Sequence, residues 1–128
     1  MERYFVGDFV YRLRVKTYFD AAHKLDDYQG KCSQLHGHRW KVEVFVIGDT
    51  LNKTGLLVDF SVLKSKLEEI VEKFDHSYLN EIKEIGNPTA ENLSKHIFQK
   101  FKELPDSVVL EKVRVWESPD SWSEYYEN

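Results

Sequence analysis

Two separate stretches of the chain alternate apolar and charged side chains with a period of two, and this alternation most constrains the fold. Between Tyr11 and His23 the two sets that alternate are Leu13, Val15, Phe19 and Ala21 against Arg12, Arg14 and Lys16. From His36 onwards they are Trp40, Val42, Val44 and Val46 against Arg39, Lys41 and Glu43. Successive side chains of a strand point to opposite faces of a sheet, so each stretch predicts a half-buried strand. We expect the two strands to pair through a long loop.

The middle of the chain changes to the longer period of a helix. A turn-like stretch from Gly48 to Gly55 and the short apolar piece 56–58 come first. The apolar stripe of a first helix follows, comprising Leu63, Leu67, Ile70, Val71 and Phe74. The segment Asn87-Pro88-Thr89 predicts the start of a second helix, because proline is tolerated in the first turn. Its stripe comprises Leu93, Ile97, Phe101 and Leu104.

Two more strands are predicted near the C-terminus. The first runs from Val109 to Glu117, and the second runs from Ser121 to Glu127 after a turn at 118–120. The order strand, strand, helix, helix, strand, strand predicts an α+β fold, with both helices on one face of a four-stranded antiparallel sheet. With no repeat or linker, residues 1–128 are expected to form one domain. An aromatic-rich opposite face favours a symmetric homo-oligomer.

Charge and composition exclude several classes of function. A formal net charge of −4 argues against a general nucleic-acid or membrane-surface partner, since both favour a basic face. No apolar run is long enough to span a bilayer, and the first five residues lack the layout of a signal peptide, so we expect a cytoplasmic protein. The chain has a single cysteine, Cys32, which cannot form an intrachain disulfide.

Three histidines have the spacing of a metal site. His36 and His38 lie two apart on a predicted strand, so their side chains share one face with bases roughly 6.5 to 7 Å apart. His23 ends the neighbouring strand and can supply a third nitrogen. Three protein ligands leave one position of a tetrahedral zinc ion open, as in catalytic sites. The alternative is that these are ordinary surface or core histidines.

Four other residues are candidates for chemistry, each with a simpler alternative. Cys32 precedes His36 in a polar loop, where a nearby cation would favour its thiolate, although it could be a fourth ligand or an inert loop residue. Asp75 and His76 follow the first helix and could form a proton relay or only end the helix. Glu117 has the parity of the apolar residues of its strand, so it could accept paired hydrogen bonds in a pocket or simply be solvated. The fifth histidine, His96, is expected to be a surface residue.

Several motifs together resemble the 6-pyruvoyltetrahydropterin synthase family over nearly the whole chain. The matching segments are Phe19-Asp20-Ala21-Ala22-His23, Cys32-Ser33-Gln34-Leu35-His36-Gly37-His38, Val58-Asp59-Phe60, Phe74-Asp75-His76-Ser77-Tyr78-Leu79-Asn80, Asn87-Pro88-Thr89-Ala90-Glu91 and Trp116-Glu117-Ser118. Three residues separate Cys32 from His36, which resembles the branch that makes 6-carboxytetrahydropterin; the pyruvoyl branch has a longer spacer.

The resemblance implies a fold and a role for each candidate. The fold would be the T-fold, in which subunits join their antiparallel sheets into a barrel with active sites at the interfaces, and the chain would form a homo-hexamer or homo-tetramer. The three histidines would bind Zn²⁺, Cys32 would be the proton-abstracting base, and Asp75 with His76 would form the relay. Glu117 would anchor the pterin ring. Thr89 and Glu91 match a segment that either binds the ring or only begins a helix.

The implied reaction converts 7,8-dihydroneopterin triphosphate to 6-carboxy-5,6,7,8-tetrahydropterin in queuosine (7-deazaguanine) biosynthesis, with release of triphosphate and acetaldehyde. The alternatives are a lyase that stops at 6-pyruvoyltetrahydropterin, an enzyme that interconverts related pterins, and a T-fold module that binds zinc and a pterin without turnover. Lys24, Lys31 and Arg39 are candidates for the phosphates by charge alone.

Overall fold

The computed structural model describes residues 10–127, except the side chain of Cys32. The strands and helices are β1 (Tyr11–His23), β2 (His36–Gly48), α1 (Phe60–Val71), β3 (Ser77–Tyr78), α2 (Ala90–Lys100), β4 (Val109–Ser118) and β5 (Ser121–Tyr125). Short 3₁₀ turns cover Lys31–Ser33, Leu79–Glu81 and Lys83–Ile85. The predicted domain 1–128 extends past the described residues at both ends, and the N-terminal segment on which the absence of a signal peptide was inferred lies outside them.

A five-stranded sheet with the order β3-β1-β2-β4-β5 forms the centre of the fold. β1 and β2 pair antiparallel along their whole length, from Tyr11 opposite Gly48 to His23 opposite His36. The pairs β2–β4 and β4–β5 are also antiparallel. The prediction of four antiparallel strands is therefore incomplete, because β3 adds a parallel strand beside Ala21 and Ala22. Two residues are too few to show a period in the sequence.

The core lies between one face of the sheet and both helices, as the alternation predicts. α1 packs against β1, and α2 packs against β4 and β5. Phe19 and Trp40 stack at 5.9 Å between ring centroids on this inner face of the sheet. The fully buried aliphatic side chains of this core are Val42, Val44, Val46, Leu63, Leu67, Leu79, Leu93, Ile97, Val113 and Val115. The charged side chains that alternate along β1 and β2 lie on the opposite face of the sheet, called the outer face below.

Each helix begins at a side-chain cap. Asp59 accepts from the backbone N–H of Ser61 ahead of α1, and Thr89 accepts from the N–H of Asn92 ahead of α2. Pro88 therefore precedes the cap and does not lie in the first turn. The structure describes no helix in residues 10–127 that is long and apolar enough to cross a membrane.

Some residues placed on the helical stripes lie beyond the helices. Phe74 follows the end of α1 and Phe101 follows the end of α2, yet both side chains are buried in the core. His96, expected to be a surface residue, is only partly exposed, because its ring packs 5.7 Å from that of Phe74 and lines a cavity between the helices.

Candidate metal and substrate site

The pairing of β1 with β2 brings the three predicted histidines together. His23 stands directly opposite His36, and Ala21 stands opposite His38, so all three side chains leave the inner face at one end of the sheet. One ring nitrogen from each lies within 4.8 Å of the others, which is a geometry able to hold a metal ion. Trp40, the next residue of this parity, meets the rings of His23 and His38 edge-on and forms an apolar floor.

Backbone carbonyls fix the tautomers of two of the rings. Nδ1 of His23 lies 2.7 Å from the Pro88 carbonyl, and Nδ1 of His36 lies 2.7 Å from the Gln34 carbonyl. A carbonyl oxygen only accepts, so Nδ1 carries the proton in each ring and Nε2 of a neutral ring presents its lone pair. Carbonyl partners of this kind orient metal-binding histidines in proteins.

The Nε2 atoms need a positive partner. Those of His23 and His36 are 3.1 Å apart, a separation that two lone pairs tolerate only with a proton or a cation between them. Two nitrogens bound tetrahedrally to zinc lie about 3.3 Å apart, so the spacing suits that ion. The buried Nε2 of His38 has no hydrogen-bond partner among the described residues. A cation shared by all three rings satisfies every one of these atoms.

Burial also favours the neutral rings that metal binding requires. It is the main cause that lowers the pKa of His23, against the opposing effects of the Pro88 carbonyl and the Glu117 charge. The pKa of His38 is likewise lowered, chiefly by burial, with Glu117 again opposing. The two rings are therefore neutral near pH 7, and their approach to Glu117 is not an ion pair between charged groups.

Glu117 lies at the histidine cluster, on the inner face of the sheet that it shares with the apolar residues of its strand, as predicted. Its carboxylate oxygens are 3.9 Å from Nε2 of His23 and 3.8 Å from Nε2 of His38. These distances are too long for hydrogen bonds, so the carboxylate is available to another partner. About 29% of the side chain is exposed, which leaves it accessible to a ligand.

A cavity of about 560 Å³ adjoins this cluster. Its lining combines His38 and Glu117 of the inner face with side chains of the outer face, and the residues that line it are Tyr18, Gly37, His38, Arg39, Lys41, Trp116, Glu117, Ser118 and Pro119. Its size suits a small organic ligand.

Asp75 and His76 lie at a different position. The Asp75 carboxylate accepts from the backbone N–H of Asp20 at 2.9 Å and contacts Nδ1 of His76 at 3.0 Å. The hydrogen bond from Asp20 is the main cause that lowers the pKa of Asp75. His76 has a positive φ of 58°, and 80% of its side chain is exposed. The described contacts thus connect Asp75 and His76 to Asp20 of β1 and not to the three histidines.

The remaining candidates occupy the loops around the site. Cys32 lies in the 3₁₀ turn Lys31–Ser33, and its side chain is outside the described part of the structure. The Thr89 hydroxyl caps α2, which matches the helix-start alternative for that residue. Glu91 is exposed in the first turn of α2.

Sequence reasoning missed the groups that orient the histidines. The Pro88 and Gln34 carbonyls belong to the backbone, which carries no signal in the residue type. Pro88 is itself buried, in a segment that was interpreted as a helix start or, for Thr89 and Glu91, as part of the ring-binding site. Trp116 was also missed as a cavity residue, although its outer-face parity beside Glu117 could have indicated it.

Known proteins resemble this chain in sequence and in fold. The family profile of 6-pyruvoyl tetrahydropterin synthase matches residues 12–128. The 6-carboxy-5,6,7,8-tetrahydropterin synthase of Synechocystis sp. is 39% identical, over 84% of this chain and 87% of its own length. The dihydroneopterin monophosphate aldolase of Pyrococcus furiosus is 37% identical, over 83% of this chain and 89% of its own.

Solved structures agree on the architecture. The 6-pyruvoyl tetrahydropterin synthase of Caenorhabditis elegans superposes with a TM-score of 0.80 at 24% identity, and the match covers 93% of this chain and 96% of that one. At that identity the likeness supports the fold alone. Together with the profile match, it leads to one conclusion: the chain belongs to the 6-pyruvoyl tetrahydropterin synthase family and has its T-fold.

Proposed function

We propose that this chain is a zinc-dependent 6-carboxytetrahydropterin synthase that acts on 7,8-dihydroneopterin triphosphate in queuosine biosynthesis. The observation that carries the proposal is the convergence of three histidine Nε2 atoms beside a free carboxylate in a chain of this family. The 39% identity to the Synechocystis synthase supports the carboxylated product.

His23, His36 and His38 would hold the zinc ion. When bound, the ion supplies a Lewis acid that lowers the pKa of a hydroxyl group placed against it. The Pro88 and Gln34 carbonyls hold Nδ1 protonated in two of the rings and so keep Nε2 available as a ligand. The Trp40 floor excludes water from one side of the cluster.

The other residues serve binding and proton transfer in this proposal. The Glu117 carboxylate accepts hydrogen bonds from N–H groups of the pterin ring, as its open position beside the histidines allows. Cys32 removes a proton from the substrate side chain, and Asp75 with the exposed His76 carries protons to or from it. The Thr89 hydroxyl keeps its capping hydrogen bond to α2. Any contact of Thr89 and Glu91 with the pterin ring adds to the binding by Glu117.

The atoms of the reaction balance with one water molecule. The three-carbon side chain loses triphosphate by cleavage of a C–O bond and then divides into the one-carbon carboxyl group and the two carbons of acetaldehyde. The two hydroxyl oxygens that remain cannot supply the three oxygens of these products. The second carboxyl oxygen therefore comes from water.

Incubation of the zinc-loaded protein with 7,8-dihydroneopterin triphosphate in ¹⁸O-labelled water tests the proposal. We expect 6-carboxytetrahydropterin with one ¹⁸O atom and an equal amount of acetaldehyde, both measured by mass spectrometry. A pyruvoyl product without acetaldehyde would contradict the product assignment and support the pyruvoyl alternative.

A second candidate function is the cleavage of dihydroneopterin monophosphate. The 37% identity to the Pyrococcus furiosus aldolase favours it. Parallel assays with the monophosphate and the triphosphate distinguish the two, because kcat/KM should be higher for the physiological substrate. A preference for the monophosphate would replace the synthase proposal.

The metal assignment is tested separately by His38→Ala. We expect loss of bound zinc, because the variant removes one of three ligands, with His96→Ala as a matched control that keeps full occupancy. Zinc content is measured by elemental mass spectrometry after gel filtration. Full occupancy of His38→Ala would refute the three-histidine site.

Cys32→Ala separates an enzyme from a binding module. We expect this variant to retain zinc and lose turnover, since it would remove only the base. Turnover equal to that of the unmodified chain would exclude Cys32 from the mechanism. No turnover in either form, with zinc and pterin bound, would favour the binding module.

A further inference from the structure

We propose that Arg39 and Lys41 form a polyphosphate-binding subsite on the outer face of the sheet, in the cavity that adjoins the histidine cluster. The inference rests on the proposed function, because it assigns the triphosphate end of the substrate, and of the released product, to these two side chains. It concerns a group of residues separate from the histidines and Glu117.

The strand register brings the two cations to one wall of the cavity. Arg39 and Lys41 have the same parity on β2, so both side chains leave the outer face. Lys41 stands opposite Tyr18 on β1 and opposite Trp116 on β4. The cavity is lined by both basic residues, both aromatic residues and, at its other end, His38 and Glu117.

Within the described part of the chain, these cations differ from most basic residues of the same face because neither lies within ion-pair distance of a carboxylate. Carboxylates pair with four others: Arg12 with Glu111, Arg14 with Glu43, and Lys112 and Arg114 with Glu124. By contrast, the Arg39 guanidinium lies 4.7 Å from the centroid of the Tyr18 ring, and the Lys41 ammonium lies 5.0 Å from that of Trp116. Neither makes an ion pair with a carboxylate within residues 10–127.

The aromatic rings keep both charges available. A cation over a ring face is held in place without being neutralised, so its N–H donors remain able to bind an anion. A guanidinium presents a planar fork that binds two phosphate oxygens at once, and an ammonium adds a compact charge. A chain of phosphates provides several oxygens for both groups.

The charge distribution of the cavity also matches a ligand with two unlike ends. The Glu117 carboxylate at the histidine end repels phosphate but accepts from the N–H groups of a neutral ring. The cationic end attracts the phosphate chain. A ring with a polyphosphate tail therefore has one favoured orientation, and its connecting carbons lie nearest His38.

Titration of inorganic tripolyphosphate into the zinc-loaded full-length protein tests the subsite by calorimetry, with zinc content checked afterwards because the probe can chelate the metal. We expect Arg39→Gln and Lys41→Gln each to weaken binding about tenfold, from the loss of a charged hydrogen-bond donor. Lys16→Gln is the matched control, because Lys16 is a cation on the same face that also lies near the Tyr18 ring but does not line this cavity. Unchanged affinity in both cavity variants, or an equal loss in Lys16→Gln, would overturn the subsite.

Kinetics and a phosphate-free ligand separate this inference from the proposed function. In Lys41→Gln, KM for 7,8-dihydroneopterin triphosphate should rise while the affinity for 7,8-dihydroneopterin, which has no phosphates, stays the same. An equal loss of affinity for the phosphate-free compound would overturn the assignment, because the residue would then bind the ring. Tripolyphosphate binding that depends on Arg39 and Lys41, in a protein that does not convert the triphosphate, would retain the subsite and refute the proposed function.

Discussion

Glu43 shows how a single carboxylate can be buried on the outer face of the sheet, where the alternation in sequence places charged side chains. Only 5% of its side chain is exposed. It accepts hydrogen bonds from the Trp116 indole and the Arg14 guanidinium, and Arg114 lies 3.8 Å away. Because Trp116 lines the cavity beside Glu117, Glu43 also fixes one wall of the candidate site.

The ionised form of Glu43 stabilises the fold. Burial is the largest single influence and raises the pKa of this carboxyl, but the hydrogen bonds from Trp116 and Arg14 and the charges of Arg14 and Lys41 together outweigh it. The pKa therefore lies below its ordinary value of 4.5. A carboxylate with a lowered pKa stabilises the folded state above the unfolded pKa, and this stability is lost as the pH falls through the folded pKa.

We expect Glu43→Gln to lower the free energy of unfolding by about 2 kcal/mol at pH 7, because a buried charged acceptor is lost from two hydrogen bonds. The difference from the unmodified protein should shrink as the pH falls below 4.5. Urea unfolding at a series of pH values measures both effects. The exposed Glu68 pairs with Lys64 alone among residues 10–127, so Glu68→Gln should change stability by less than about 0.5 kcal/mol. A pH-independent difference for Glu43→Gln would contradict this account.

At the scale of secondary structure, α2 depends on a hydroxyl cap that the family resemblance also makes a candidate for substrate binding. The Thr89 side chain accepts from the N–H of Asn92 at 3.0 Å, and the Pro88 carbonyl immediately before it orients His23. The start of this helix therefore connects directly to the histidine cluster.

We expect Thr89→Ala to destabilise the protein by about 1 kcal/mol, the usual cost of losing a side-chain cap, and Thr89→Ser to be nearly neutral. Thermal unfolding followed by circular dichroism measures both. If Thr89 acts only as a cap, the two variants should bind pterin equally well at a temperature where both are folded. Weaker pterin binding by the alanine variant alone would show that the hydroxyl also contacts the ring.

Elements in which apolar side chains recur with a strong period could be predicted from the sequence, and features without such a period could not. The alternation through β1 and β2 placed both strands and the shared face of His36 and His38. Nothing comparable marks β3, whose pairing with Ala21 and Ala22 is set by tertiary packing. The burial of Glu43 and the partial burial of His96 escaped detection for a related reason: a polar residue type indicates exposure unless the partner across the fold is known.

At the scale of the whole molecule, the sheet has two edge strands and one face that no helix of residues 10–127 covers. β3 and β5 form its edges, and Trp122 on β5 is 46% exposed. Open edges of this kind favour pairing with a further strand. We propose that copies of the chain join at these edges into the barrel that the family resemblance implies.

Light scattering during gel filtration measures the assembly. We expect a mass of four or six times the chain mass of 15.2 kDa. Edge pairing uses backbone hydrogen bonds, so the mass should persist in 0.5 M salt (roughly a 4 Å screening length), where surface ion pairs weaken. A monomer at micromolar concentration would contradict the barrel.

The contact between His23 and Pro88 has a consequence for synthesis of the protein on the ribosome. All three histidines lie in β1 and β2 and are synthesised first, whereas the carbonyl that orients the first of them follows only after α1 and β3. Orienting partners of this kind typically change metal affinity by about 10-fold to 100-fold. In the proposed zinc site, the nascent hairpin would thus exchange its ion readily, and tight retention would begin only when the segment before α2 docks.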